Sequence, residues 1–494
     1  MISDPSWLRL PKKAKEGFFV AQHLPNPSGR RASSFQELAR AFLDGAGLPF
    51  HKLLDAKRIQ EVFAKHGGLF GAHGVYTTAI MVWSFLGQVL RDAKEASCQA
   101  AVARVVSYCL QVGISPPSSD TGDYCRARAK ISEPALRELS GNIAQELEDA
   151  AGEAWLWKGR HPKLIDGFTF TMPDTEENQA EFPQPTSQAP GIGFPIARAV
   201  VILSLATACI LDAELGPFAG KETGESALLR SMLEKLKAGD IAVFDRYYCS
   251  FMMIALLQLQ ATDVCARLHQ NRKSDFRRGR RLGRYDHIIT WTRPKRPDWM
   301  DEATYEQIPP TIELREIRYR VVEKGRRTKT ITVVTTLLDA SQYSAQDIAD
   351  LYGFRWNSEL DIRSIKEALH LGHVRCKKPA MVRCEFRATL LAYNLIRTTA
   401  ASAALLHDQQ PRQISFTSTC QYILASWMYL SSGLIPTQIL PDYILQLLKQ
   451  IAMCKVANRP GRLEPRVLKR RRHGYDLMNR PRNVLRAKLR KRCT

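Results

Sequence analysis

Two short apolar runs, each followed at once by an aspartate, constrain this sequence more than any other feature. Leu164-Ile165 leads into Asp166, and Ile241–Phe244 leads into Asp245. Residues 163–172 (KLIDGFTFTM) alternate like a strand, and 197–211 (ARAVVILSLATACIL) read as a buried strand pair. Residues 223–240 carry an amphipathic helical pattern, 241–245 a short buried strand, and 250–263 an apolar helix. Strand, strand, helix, strand, helix is the order of an α/β layer fold. An acid at the end of a buried strand costs desolvation energy unless a cation or hydrogen bonds compensate. Two-metal phosphoryl chemistry needs oxygen ligands that hold ions ~3.5–4 Å apart, and rigid strand ends supply such geometry. Taken singly, either aspartate also suits a turn cap. Asp174 and Asp240 are competitors. Asp174, with Glu177 three residues later, reads as a helix N-cap or turn residue, and Asp240 follows Gly239 in a turn.

Tyr352, Arg355, Glu359 and Lys366 supply the third element. Their spacings of three, four and seven put them on one face of a helix within 344–370. That face holds an acid between two cations, with a phenol one turn away. Glu359 completes a metal site, Arg355 and Lys366 suit phosphates beside it, and Tyr352 is a hydrogen-bond donor. The plainer alternative is an i,i+4 ion pair from Arg355 to Glu359 on a surface helix.

The rest of the chain frames these residues. Residues 1–150 are mostly helical by periodicity, and Thr121, Tyr124, Arg126 and Arg128 near one helix start suit phosphate contacts or a solvated basic face. Residues 266–340 open on a basic run and contain two β-like runs, 312–322 and 328–338, that read as a hairpin. This segment is expected to be a β-rich insertion. Helical patterns return at 381–406, with weaker ones after it. The last 36 residues hold fourteen Lys or Arg against Glu464 and Asp476, and so are expected to be flexible when free. Over the whole chain 71 Lys and Arg outnumber 49 Asp and Glu, a net charge of +22, which favours a polyanionic partner. No apolar run is long enough to cross a membrane, and no signal-peptide pattern opens the chain. The eleven cysteines form no C-x-x-C pair and no zinc spacing. A cytosolic, nucleic-acid-binding protein is the expectation.

The residues YGFRWNSELDIRSIK (352–366) carry Y-x-x-R-x-x-x-E-x-x-x-x-x-x-K. This resembles the signature of bacterial insertion-sequence transposases of the "insertion sequence four" superfamily, whose catalytic acids form a DDE motif. LIDGFTFTMPDTEENQ resembles the block around that family's first catalytic Asp, and GDIAVFDRYYCS the block around its second. The resemblance spans roughly residues 85–405. It implies a ribonuclease H-like core in 151–265 and 341–410, interrupted by the β-rich 266–340, with a helical DNA-binding domain in 1–150 and a helical, basic region in 411–494. It implies that Asp166, Asp245 and Glu359 bind two Mg²⁺, for which Mn²⁺ substitutes, and that Tyr352, Arg355, Lys366 and Arg246 contact DNA. Trp356 would stack on a displaced base, with Trp291 and Trp299 as alternatives. The implied activity is cut-and-paste transposition, with a hairpin intermediate as one route. The implied partners are double-stranded terminal inverted repeats and target DNA, bound by a dimer in a bacterial, nucleoid-associated setting. A structure-specific nuclease on the same fold, or a non-catalytic DNA-binding protein derived from a transposase, are the competing readings.

Overall fold

A computed structural model describes residues 53–490 except 72–73, 112, 221, 322–328, 432–434, 437 and 458–477. The chain divides into two compact units: Met1–Gly152 with Glu367–His370 and Arg383–Val456, and Glu153–Lys366 with Leu371–Val382 and Ala457–Thr494.

The first unit is helical among its described residues. It contains Ala56–Lys65, Thr78–Val89, Cys98–Gln111, Thr121–Arg128 and Glu133–Asp149 from the N-terminal part. Most of Pro379–Leu406, with Phe416–Ser431 and Leu440–Met453, comes from the C-terminal part. Thr78–Val89 is apolar on every side and buried nearly all round, as a central helix must be. No described helix is long and apolar enough to cross a membrane.

The second unit is built on one nine-stranded sheet: β1 (Pro162–Thr171), β2 (Ile196–Ser204), β3 (Ile210–Pro217), β4 (Ile241–Phe244), β5 (Asp263–Arg267), β6 (Arg280–Gly283), β7 (Asp286–Thr292), β8 (Thr311–Val321) and β9 (Lys329–Thr335). The spatial order is β3-β2-β1-β4-β5-β9-β8-β7-β6. β1, β4 and β5 run parallel, and β2 lies antiparallel to β1. All four residues of β4 are buried, as are the first four of β1. Continuous apolar runs suit parallel strands covered on both faces. The segment 266–340 adds β6–β9 to this same sheet, since β9 pairs with β5.

Several sequence expectations need correction. The helix expected over 223–240 ends at Arg230, and a 3₁₀ turn at Leu233–Lys235 follows. The N-cap of Glu176–Glu181 is Thr175, whose hydroxyl accepts from Asn178 N–H, and not Asp174. The hairpin of β8 and β9 has two further strands, β7 and β6, beside it, hidden in the sequence by the basic run. Most of the C-terminal basic tail lies outside the described residues, but Arg482–Arg490 is helical, where flexibility was expected.

Candidate active site

β1 and β4 meet in a parallel register whose last pair is Ile165 with Phe244. Asp166 and Asp245 are the next residue along each chain. Neighbouring strands lie about 4.8 Å apart, so the register alone delivers the two acids side by side where the parallel β1–β4 pairing ends; β4 stops at Phe244, whereas β1 runs on to Thr171, so Asp166 lies within its strand and not at the strand end expected. Open α/β sheets place ligands at the carboxyl ends of their parallel strands.

The helical segment after β9 lies over this edge. Ser344 and Asp347 form a capping box that starts Ala345–Gly353. A turn at Phe354 and Arg355 leads into Trp356–Arg363, which packs on β1. Ile348, Leu351 and Ile365 are fully buried and fix the face turned to the sheet. A π turn at Ser364–Ala368 ends the segment, an irregularity often found at functional sites. The chain then returns to β1, where Thr171 N–H donates to the Gly372 carbonyl (3.1 Å) and accepts through its own carbonyl from Val374 N–H (3.0 Å).

Asp166 is more enclosed than Glu359. Its Oδ1 accepts from Gly167 N–H at 2.9 Å. Its Oδ2 lies 2.7 Å from the Ser358 hydroxyl and 3.3 Å from Arg355 Nη1. Burial pushes the Asp166 carboxyl above the usual range. Ser358, Arg355 and the Gly167 N–H oppose that shift, and the charge of Glu359 adds to it. Arg355 also donates from Nη2 to Glu359 Oε1 at 2.6 Å, so one guanidinium bridges two of the acids. Tyr352 is buried and its hydroxyl donates to Asp245 Oδ1 at 3.3 Å. Burial, and then the charge of Asp245, push the Tyr352 phenol well up, so it remains a proton donor at neutral pH.

The structure thus brings Asp166, Asp245, Tyr352, Arg355 and Glu359 into one network. Lys366 sits on the π turn, where its carbonyl accepts from Gly372 N–H at 3.4 Å and its ammonium forms no ion pair or hydrogen bond among the described residues. Arg246 is exposed directly after Asp245. Trp356 is 41% exposed on the first turn of its helix. Trp291 is buried under the Arg272 guanidinium (3.7 Å), and Trp299, more exposed, carries Arg230 at 3.8 Å. Tyr124 and Arg128, read as phosphate donors, are otherwise engaged. Tyr124 is fully buried, and both side chains donate to Gln88 Oε1, at 2.9 and 3.0 Å. Asp240 holds the Lys237 N–H in a turn and faces Lys163 Nζ at 3.6 Å.

Three groups escaped the sequence reading. Ser358 sits one turn after Arg355 and points at Asp166. Tyr248, three residues after Asp245, donates to Glu225 Oε2 at 3.0 Å. Burial raises the Glu225 carboxyl; Tyr248 and Arg198 oppose this, while Asp166 and Asp245 reinforce it. The Ser358 position was visible in the helical spacing. Nothing in the sequence pointed to Glu225.

Carboxylate oxygens are hard donors of the kind Mg²⁺ takes, and a desolvated Asp166 gains from a cation beside it. The donor chemistry therefore fits a divalent ion. The spacing is that of a guanidinium bridge: among the described residues no three acid, His or Cys side chains are grouped closely enough to hold one ion. Glu359, 37% exposed, has solvent on its outer side.

Residues 157–395 match the family model of the transposase DDE domain. The class of protein is therefore a DDE transposase. Over 427 residues, 85% of this chain and 92% of the relative, the sequence is 26% identical to transposase InsG for insertion sequence element IS4 of Escherichia coli (strain K12). A 64-residue stretch is 39% identical to putative transposase InsL for insertion sequence element IS186A of the same organism, covering 13% of this chain and 17% of that one. The chain is thus similar to an IS4 transposase over most of its length, and the match to the DDE domain falls within that similarity. A solved piggyBac transposase synaptic complex with hairpin DNA aligns over 86% of this chain and 88% of that one, at 12% identity and a TM-score of 0.40, a likeness too distant to use.

Proposed function

We propose that this transposase cuts double-stranded DNA at the terminal inverted repeats of its element and joins the freed ends to target DNA, as at least a dimer because two ends must be paired. The observation that carries the reading is the pairing of Asp166 and Asp245 by the β1–β4 register, under a helix that donates to both from Ser358, Arg355 and Tyr352. We read β3-β2-β1-β4-β5 as a ribonuclease H-like core with 266–340 inserted into it.

Asp166, Asp245 and Glu359 would hold the divalent ions, Mg²⁺ with Mn²⁺ as a substitute. When bound, such ions activate the attacking oxygen and neutralise the leaving one. The chain's own part is to hold the acids and to grip phosphate. Gly167 N–H and Ser358 orient Asp166, and Tyr352 orients Asp245. Arg355, Lys366 and the exposed Arg246 provide phosphate contacts, and Trp356 a stacking surface worth ~1–3 kcal/mol per base. Each chemical step is an in-line displacement at phosphorus. Water attacks first, the bond from phosphorus to the 3′ oxygen breaks, and that oxygen leaves as a 3′-OH. The 3′-OH then attacks either the opposite strand, giving a hairpin, or target DNA.

The test is cleavage of DNA carrying the native element ends, with and without Mg²⁺, by wild type and Glu359→Gln. Loss of cleavage with retained end binding supports the reading. Equal cleavage by both removes Glu359 from the site. Cleavage that never yields joined product favours a nuclease of the same fold, and binding with no cleavage by either protein favours a DNA-binding derivative.

A further inference from the structure

Glu225 opens the helix Glu225–Arg230, which packs on β2 and β3. Its side chain runs to the residue after Asp166. A Cβ at Gly167 would lie 2.5 Å from Glu225 Cδ and 2.7 Å from its Oε1, so the carboxylate occupies the space a larger residue there would need. The same carboxylate accepts from the Tyr248 hydroxyl at 3.0 Å. Tyr248 is buried, and its N–H donates to the Asp245 carbonyl at 3.2 Å. One carboxylate therefore reaches both backbone segments that carry the aspartates, the middle of β1 through Gly167 and the turn after β4 through Tyr248. The guanidinium acting on it is that of Arg198, which directs Nη1 to the Thr223 carbonyl at 3.2 Å.

We propose that Glu225 is a positioning residue of the catalytic centre, a fourth carboxylate that fixes the backbone at Asp166 and Asp245 through Gly167 and Tyr248 and adds its charge to the field that draws the divalent cation. It touches neither the DNA nor the ion. This rests on the reading that Asp166 and Asp245 hold that ion. A purely structural acid at a helix start behaves differently. Helix N-termini favour negative charge, so its neutral analogue would weaken the fold and leave cation binding alone. A field-setting acid set among like charges does the reverse. Its neutral analogue relieves repulsion in the cation-free protein and weakens cation binding.

The experiment is Mn²⁺ titration calorimetry on the full chain without DNA, with cation-free thermal melting alongside. The variants are Glu225→Gln, Tyr248→Phe and Asp245→Asn. Glu225→Gln is expected to weaken Mn²⁺ binding about tenfold, with a melting temperature equal to or above that of wild type. Tyr248→Phe removes only the hydroxyl and is expected to weaken binding about twofold to threefold; it carries the test if Glu225→Gln does not fold. Wild-type affinity in Glu225→Gln and Tyr248→Phe, with binding lost in Asp245→Asn, overturns the role of Glu225 alone. Wild-type affinity in Asp245→Asn overturns the metal-site reading and this proposal with it.

Discussion

Ser358 has one proton and two acceptors, Asp166 Oδ2 at 2.7 Å and the Arg355 carbonyl at 2.8 Å. The carboxylate is charged, so it is the stronger acceptor. Burial raises the Asp166 carboxyl, which means its folded-state pKa lies above the unfolded one. The sign follows: the ionised group opposes folding at neutral pH, and stability returns as pH falls through the folded-state value. Function needs the ionised form, so the Ser358 hydroxyl works against burial. Ser358→Ala should move the acid limb of the cleavage–pH profile upward by about one to two units, given that a bond to a charged group contributes ~1.5–3 kcal/mol. Cleavage rates across the acid range check this, and a limb that stays in place removes Ser358 from the site. Gly167 makes a second residue-scale test. Gly167→Ala puts a carbon inside the Glu225 carboxylate, an overpacking that should cost about 1–3 kcal/mol in chemical denaturation. Adding Glu225→Ala should recover part of that loss, because the two changes share one volume.

The helical segment that carries Tyr352 and Glu359 is held in place by an ion pair in the sheet. Arg315 of β8 is fully buried, donates from Nε and Nη2 to Asp286 of β7 at 2.8 and 2.6 Å, and donates from Nη1 to the Tyr343 carbonyl at 2.6 Å. Tyr343 stacks on Trp157 and directly precedes the capping Ser344. Strands β7 and β8 thus brace the start of the helical segment that carries Tyr352 to Lys366. Asp286→Asn leaves a buried guanidinium without its countercharge and should destabilise the protein by about 3 kcal/mol in urea unfolding. No loss would mean the ion pair is replaceable. This bracing was not legible in the sequence, where 267–287 read only as a basic run and β6 and β7 went unseen. Arg315 is used internally, paired with Asp286, and Arg272 lays its guanidinium on the buried Trp291; composition cannot separate them from arginines that meet only solvent. The parts that were legible have periodicity behind them. Ile165 and Phe244 end apolar runs whose register sets the two aspartates together, and the helical spacing of Tyr352, Arg355 and Glu359 brings them together across the turn at Phe354 and Arg355, whereas Lys366 falls on the π turn that the spacing did not show. Tyr124 and Arg128 misled for the same reason as Arg272: local spacing shows a donor near a helix start, but not that Gln88 has claimed it. Glu225 was invisible because its partners, Gly167 and Tyr248, are brought to it by tertiary structure alone.

At the scale of the whole chain, a charge of +22 has to be carried mostly on surfaces, since buried cations such as Arg315 are paired. Part of the excess is on the β6 side of the sheet. Arg277 and Arg278 extend into solvent with only Asp275 near them, and Arg280 and Arg281 are exposed. Another part is on Arg482–Arg490, a basic helix with no buried residue. A helix that buries nothing contributes little to a core, so its four basic side chains are better explained by a polyanion than by packing. Contacts of that kind release counterions, and each phosphate contact contributes about −0.9 to the slope of log K against log salt concentration. Replacing Arg482, Arg486 and Lys488 by Gln should therefore flatten the slope by up to about 2.7, if each of the three meets a phosphate. Phosphate contacts carry no sequence information, so affinity for element ends and for unrelated DNA should fall in parallel. Filter-binding or anisotropy titrations at several salt concentrations measure both quantities. An unchanged slope would take the helix off the DNA. A loss confined to element ends would make it a reader of sequence, and the task of recognising the terminal repeats would then not rest on the N-terminal helices alone.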